Sequence, residues 1–346
     1  MKKILIFILL NLSISAFAAQ PTSASIKLAN TPAPTAEISS IPDNSIFVFA
    51  DLLQWKARED AANNWAQIIT PAGRNQDAEV IGVPFKWDTG FRVGMGYNAH
   101  DNWDGQIYYT GYHTSANDSV AASNVYSPYL GNFWIDNNNG AGVGPYYQAA
   151  NVKWTIDYDT LDLALGHTFH IKNIVDLHPL LGLKLATINQ NINTNWYNPT
   201  SETNMVTVFT EANESIDNDF SGVGPSVGLD VSFFLYQSSR YTLNLIGDFS
   251  GALLWGNWSF KYYYTNNAPA TVTIDNSEFT GAAPMISGFL GIGWTGHYNT
   301  VDTTIRLGYE QQVWYNQLQF YSLNGGRLNE QLSLQGGDLS ICINFK

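Results

Sequence analysis

Along most of the chain, apolar and polar side chains alternate with a period of two. The clearest run is Phe85–Asn98. There Phe85, Trp87, Thr89, Phe91, Val93, Met95 and Tyr97 share one face, and Lys86, Asp88, Gly90, Arg92, Gly94, Gly96 and Asn98 share the other. Successive strand side chains point to opposite faces, so this run predicts a strand with one apolar-aromatic side and one charged or small side. Val223–Leu235, Val301–Glu310 and Leu339–Phe345 repeat the pattern. Between Val152 and Leu165 the apolar parity switches near Thr160, which predicts a β-bulge or strand bend.

Ten such segments follow one another, near 46–56, 85–98, 103–114, 151–168, 176–190, 219–236, 240–256, 284–297, 300–315 and 330–345. The connections alternate in length. Those at 57–84, 115–150, 191–218, 257–283 and 316–329 are long, whereas those at 99–102, 169–175, 237–239 and 298–299 are short and rich in turn formers. An even strand number with long loops at one end and tight turns at the other predicts an all-β fold. The expectation is a transmembrane antiparallel β-barrel of about ten strands, within a range of eight to twelve, with long extracellular loops and short periplasmic turns.

Alternation alone does not say which face meets solvent. The segments run to ten or more residues, longer than strands of soluble proteins. The face opposite the apolar one is crowded with glycine as well as charge, as suits a confined interior. Tryptophan gathers at strand ends: Trp55, Trp87, Trp154, Trp255 and Trp258 towards the long loops, Trp103 and Trp294 towards the short turns. With the terminal aromatic Phe345 they form a candidate pair of aromatic girdles at the membrane interfaces.

Composition narrows the class. The chain has 346 residues, 16 Lys+Arg against 29 Asp+Glu, a formal charge of −13, and 14% aromatics. So acidic a chain does not neutralise a phosphate backbone, which excludes nucleic acid as a partner. A single cysteine, Cys342, excludes an intrachain disulfide framework and any cysteine-rich metal site, and its parity places it in the lumen. Lys2 and Lys3, the apolar run Ile4–Ile14 and Ala16-Phe17-Ala18 read as a cleaved signal peptide over residues 1–18, too short to span a membrane. Residues 19–45 read as a flexible periplasmic leader, and 46–346 as the barrel, placed in a bacterial outer membrane.

The segments ADLLQWKA (Ala50–Ala57), FKWDTGFRVGMGYN (Phe85–Asn98), WTIDYDTLDLALG (Trp154–Gly166), PLLGLKLATINQ (Pro179–Gln190), FSGVGPSVGL (Phe220–Leu229) and the closing Gly337–Phe345 resemble the Legionella major outer membrane protein family. The resemblance spans most of 46–345. It implies a pore-forming, surface-exposed outer-membrane barrel and contact with host cells. The abundant family porin is disulfide cross-linked, whereas Cys342 stands alone here.

The chemistry-bearing residues are few. His167 and His170 fall on opposite faces of a strand and, with His178, read as turn histidines rather than a metal site. His113, with Asp118 nearby, has no partnered nucleophile, so no enzymatic activity and no cofactor are expected. Gly140–Gly144 lacks the helix and lysine of a phosphate cradle. By parity, eleven charged residues line the lumen: Lys86, Asp88, Arg92, Lys153, Asp157, Asp159, Lys184, Asp230, Asp248, Arg306 and Glu310. Six acidic against five basic positions give the wall little net bias. Two functions follow. One is a passive pore for small hydrophilic solutes or ions; the other is a plugged barrel acting as a surface-exposed adhesin or structural membrane protein. The partners expected are outer-membrane lipid and lipopolysaccharide, solutes or ions, and a host-cell surface; an oligomer is left open.

Overall fold

Strands of this chain alternate because each must present one face to the barrel interior and one to its surroundings. In the computed structural model the described residues are 44–72, 75–128, 134–136, 140–142, 146–172, 174–200, 209–268, 271–322 and 326–346. The signal-peptide and leader expectations lie outside them, apart from Asn44 and Ser45. In chain order the strands are β1 Ser45–Glu59, β2 Ala66–Ala72, β3 Asn75–Ile81, β4 Trp87–Asn98, β5 Trp103–Tyr126, β6 Trp134–Asp136, β7 Gly140–Gly142, β8 Tyr147–His167 and β9 Phe169–Ile171. They continue with β10 Val175–Tyr197, β11 Glu211–Gln237, β12 Tyr241–Asn266, β13 Thr271–His297, β14 Val301–Ser322 and β15 Gly326–Phe345.

Ten of them close a ring in the order β5-β4-β1-β15-β14-β13-β12-β11-β10-β8, with β8 returning to β5. Every pairing in the ring is antiparallel, and β15 joins β1 from Ile46↔Phe345 to Glu59↔Leu332. Closure leaves no sheet edge in the ring, which is the condition for strands to cross hydrocarbon. The short connections 99–102, 168–174, 238–240 and 298–300 gather at the end that also holds Ser45 and Phe345.

The expected segments all lie on ring strands, but most run further at the loop end. β5 continues to Tyr126, β10 to Tyr197 and β12 to Asn266, so much of what reads as long loop is strand. The first long connection carries the β2–β3 hairpin, and Gly140–Gly142 pairs with Trp134–Asp136 instead of looping.

The parity switch near Thr160 has a different cause from the one expected. Pairing of β8 runs unbroken across Thr160 on both sides, from Leu163 to Tyr158 against β5 and against β10, so no bulge is present. The backbone keeps its alternation while the apolar face changes side. Below Thr160, Leu163 and Leu165 are exposed on the outer wall; above it, Tyr158, Ile156 and Trp154 are buried inside.

This swap marks the edge of the membrane. The row Tyr109–Leu161–Leu185–Val223–Trp255, paired laterally across five strands, is the last apolar outer row. The next rows are Gly111–Asp159–Thr187–Ser221–Asn257 and His113–Asp157–Asn189–Asp219–Ser259. Outward positions are thus apolar only from the turn end to about Leu185 on β10, the ~9–11 residues a tilted strand needs to cross a bilayer. Beyond it the same barrel stands in water, with a polar outside and an apolar core.

Candidate functional site

The interior divides into two zones set by the same swap. In the membrane-spanning part the inward side chains are charged, because a barrel interior is shielded from lipid and its charges can pair. Arg92 on β4 is the centre: Nη1 donates to Asp51 (3.1 Å) and Asp338 (3.3 Å), and Nη2 to Glu310 (3.0 Å). Its partners come from β1, β15 and β14, so one guanidinium ties four adjacent strands. Lys184 pairs with Asp162 at 2.6 Å, and Arg306 pairs with Asp248 while its guanidinium lies 4.8 Å from the Phe289 ring centroid. Towards the turn end, His178 is held between Asp104 (2.6 Å) and Asp230 (3.3 Å), and His297 contacts Asp302 at 3.1 Å.

Two cavities lie among these groups. One of about 250 Å³ is bordered by Arg92, Lys184, Glu310 and Phe289. The other, about 390 Å³, reaches the turn end at Thr168, His170, Gln237 and Ser238. They share Phe47, Gln106, Asp230, Asp248, Arg306 and Cys342, so they form one stepped chamber, and Cys342 is on its wall.

Above the chamber the bore is filled. Trp55, Tyr158 and Trp314 are fully buried. Tyr158 packs edge-on against Trp55 at 6.2 Å and Trp314 at 5.7 Å, and Trp55 against Tyr112 at 5.7 Å. β8 and β14 stand five strands apart in a ring of ten, so the Tyr158–Trp314 contact crosses the full diameter. Tyr158 Oη donates to Gln312 across the same gap at 2.9 Å. Further out, Trp154 Nε1 donates to Gln190, Trp196 Nε1 to Glu214, and Trp258 Nε1 to the Gln317 carbonyl, all at 3.0–3.1 Å. These three indoles thus bury their rings and still satisfy their N–H groups, as buried tryptophan favours.

The structure redistributes the expected site residues. Asp88, Arg92, Lys184, Asp230, Asp248, Arg306 and Glu310 face the interior; Asp88 accepts from Thr114 Oγ1 there. Lys86 precedes β4 and is exposed, a correction that follows from Val83 and Phe85 turning inward as an irregular segment against the barrel mouth. Lys153, Asp157 and Asp159 are also corrected: they alternate with the buried Trp154, Ile156 and Tyr158 and so face outward, above the membrane. Trp87, Trp103, Trp255, Trp294 and Phe345 are exposed on the outer wall, whereas Trp55, Trp154 and Trp258 are buried in the bore. These three lie beyond the swap, where the apolar face is the inner one.

Among the described residues, six carboxylates of the chamber wall and its ion pairs went unnoticed in the sequence: Asp51, Asp104, Asp162, Asp176, Asp302 and Asp338. They alternate with apolar residues, as the recognised lumen charges do, so parity alone could have found them. Their inclusion outweighs the loss of Lys86, Lys153, Asp157 and Asp159 together, and makes the wall acidic rather than balanced. His113 contacts Asp157 at 2.5 Å on the solvated outer wall, and Asp118 instead accepts from Trp65 Nε1. His170 contacts Asp176, and His167 packs edge-on to Trp103 and tilted against Phe169. Among the described residues no group of three or more His, Cys, Asp or Glu is arranged to hold a metal ion.

Among solved structures, the chain is similar to the outer membrane protease OmpT from Escherichia coli, with 12% identity, 89% of this chain and 99% of that chain covered, and a TM-score of 0.42. It is similar to the translocator domain of the autotransporter NalP from Neisseria meningitidis, with 11% identity, 87% and 88% coverage and a TM-score of 0.36. It is also similar to the Pseudomonas putida toluene transporter TodX, with 10% identity, 88% and 90% coverage and a TM-score of 0.33. No curated protein sequence matches the chain. The family model described as Legionella pneumophila major outer membrane protein precursor matches residues 43–345, the whole of the strand ring, and the chain belongs to this family of outer-membrane proteins.

Proposed function

We propose that this outer-membrane barrel is closed across its bore and works at its extracellular face, as a surface-exposed contact or architectural protein. The observation that carries this reading is the Tyr158–Trp314 contact between opposite strands, within a layer of fully buried side chains. A water-filled path needs polar side chains with free space between them, whereas this layer sets fully buried aromatic rings against one another across the bore. The extended strands raise a polar outer wall above the lipid, at the height of lipopolysaccharide sugars and open to a host-cell surface.

The test is conductance of the heat-modifiable, folded protein in a planar bilayer. Wild-type protein is expected to give no discrete steps, and the variant Tyr158→Ala/Trp314→Ala to give them. Ohmic steps from the unaltered protein would overturn the closed reading.

A second reading, a pore for small hydrophilic solutes opened by movement of the plug, is favoured by one observation. The Gln317 side-chain amide and Trp55 Nε1 are buried without hydrogen-bond partners inside the layer. Unsatisfied buried polar groups cost free energy, so they favour rearrangement of the packing around them.

A further inference from the structure

The seam between β13 and β14 ends early. Its last pair is Met285↔Trp314, although β13 runs on to Thr271 beside β12 and β14 runs on to Ser322 beside β15. Among the described residues no strand pairs with the remaining edge of β13, residues 271–284. Pro284 opens that edge, and proline, with no N–H to give to a ladder, belongs where a strand is an edge. On β14, residues 315–317 stand against Gln331 alone, because Trp314 pairs with Leu332 and Leu318 with Glu330. Asn316 there has φ 57°, a left-handed conformation that asparagine tolerates better than most residues. The chain is built to bend at this point.

Beyond the bend, β14 lies inside the bore. Leu318 pairs with Glu330, which shares a face of β15 with the inward Leu332 and Leu334, so alternation turns Gln317 and Gln319 outward. Polar outward residues are what the wall carries above the membrane, where water covers it. Both glutamines are nevertheless fully buried, at 0% exposure. The Gln317 carbonyl accepts from Trp258 Nε1 of β12 at 3.0 Å, and the Gln319 carbonyl from Asn218 Nδ2 of β11 at 2.6 Å. Two side chains from other strands thus latch the β14 backbone in the bore. The fit is incomplete, since both polar atoms of the Gln317 side chain are buried without a partner.

We propose that residues 318–322, with the paired residues 326–330 of β15, form a hinged gate with two seats. In one seat Trp258 and Asn218 hold it inside the bore. In the other it swings about residues 315–317 into the wall and extends the seam along the free edge of β13. The second seat gives that edge backbone partners and returns Gln317 and Gln319 to water. Trp314, which meets Tyr158 across the bore, is the last paired residue before the hinge, so the swing pulls directly on the plug. The gate supplies the moving part of the second functional reading, and rests on that reading only for conduction.

A buried thiol reads the swing. Gln319→Cys, in a Cys342→Ser background, is treated with an anionic maleimide in the folded, heat-modifiable full-length protein in detergent; Gln317→Cys should behave alike. A thiol at either position is buried in the bore seat and meets water in the wall seat, so labelling counts openings. Slow labelling is expected. Trp258→Phe and Asn218→Leu each remove one latch donor and strand a buried carbonyl only in the bore seat, so each should speed it by about tenfold. Gln317→Leu, which removes the unpaired amide, should slow the labelling of Gln319→Cys. Ile188→Cys, fully buried on β10 and outside the gate, should stay unlabelled in every background, which separates swinging from unfolding. Labelling of Gln319→Cys no faster than that of Ile188→Cys, or unchanged by both latch variants, would overturn the gate. Planar-bilayer recordings of Trp258→Phe/Asn218→Leu then address conduction. Discrete steps support the pore, whereas fast labelling without steps supports the gate and removes the pore.

Discussion

At the scale of single residues, one position links burial to pH. Glu59 ends β1 above the membrane, is 1% exposed, and receives a hydrogen bond from Gln190 Nε2 at 3.4 Å. Burial pushes its carboxyl well above the ordinary 4.5, and Glu330 and Asp60 add to the rise. A native state that holds this proton more tightly than the unfolded chain has its full contribution below the ordinary range. That contribution is lost as pH rises towards the folded value. Glu59→Gln keeps the shape and abolishes the ionisation, so it is expected to raise thermal stability at pH 7 and to make no difference near pH 4. Melting curves at the two pH values check this. The burial of Glu59 was not legible from β1 itself, where its neighbour Arg58 alternates with it as an equally polar residue. Only the β10 side chain lying over it reveals the environment.

At the scale of elements, β8 teaches the most. Its residues are read correctly as a strand, but the change of apolar parity at Thr160 was assigned to the backbone, when it belongs to the solvent. The strand passes from lipid into water, and the apolar face moves from outside to inside without a kink. The stretch Asn191–Tyr197 on β10 reads as loop for the same reason. Its outer face is polar because water covers it, and its inner face is apolar because a core fills the bore. The prediction is therefore positional. Leu163→Lys, outward below the swap, should destabilise the barrel by about 2–4 kcal/mol, depending on its depth. Thr155→Lys, outward above it on the same strand, should stay within about 0.5 kcal/mol. Urea unfolding of the two variants in lipid vesicles separates them; equal costs would remove the assigned membrane edge.

At the scale of the whole molecule, closure is what holds the fold in the bilayer. Asp338–Phe345 pairs with β1 on one side and β14 on the other, and Asp338 also serves Arg92. Deleting Asp338–Lys346 would open two edges with unpaired backbone groups in hydrocarbon, each costing several kcal/mol. The truncated chain is expected to show no heat-modifiable band on a gel, and a retained band would count against the ring. The ring itself was legible: period-two alternation, ten segments and alternating connection lengths are local properties that strand geometry alone imposes. Arg92, Lys184, Arg306 and Glu310 were legible as interior charges for the same reason. Which tryptophans face lipid was not, since Trp55 and Trp255 look alike until the height of the membrane edge is known. Whether the bore is open was not legible either. That depends on Tyr158 and Trp314 meeting across the diameter, a contact between residues 156 positions apart in the chain, placed by ring closure and by no local pattern. The sequence determined the strand and its two faces because alternation is a property of the backbone. Which solvent each face meets, and what fills the interior, was decided only by the tertiary structure, because both depend on distant strands brought to the same height.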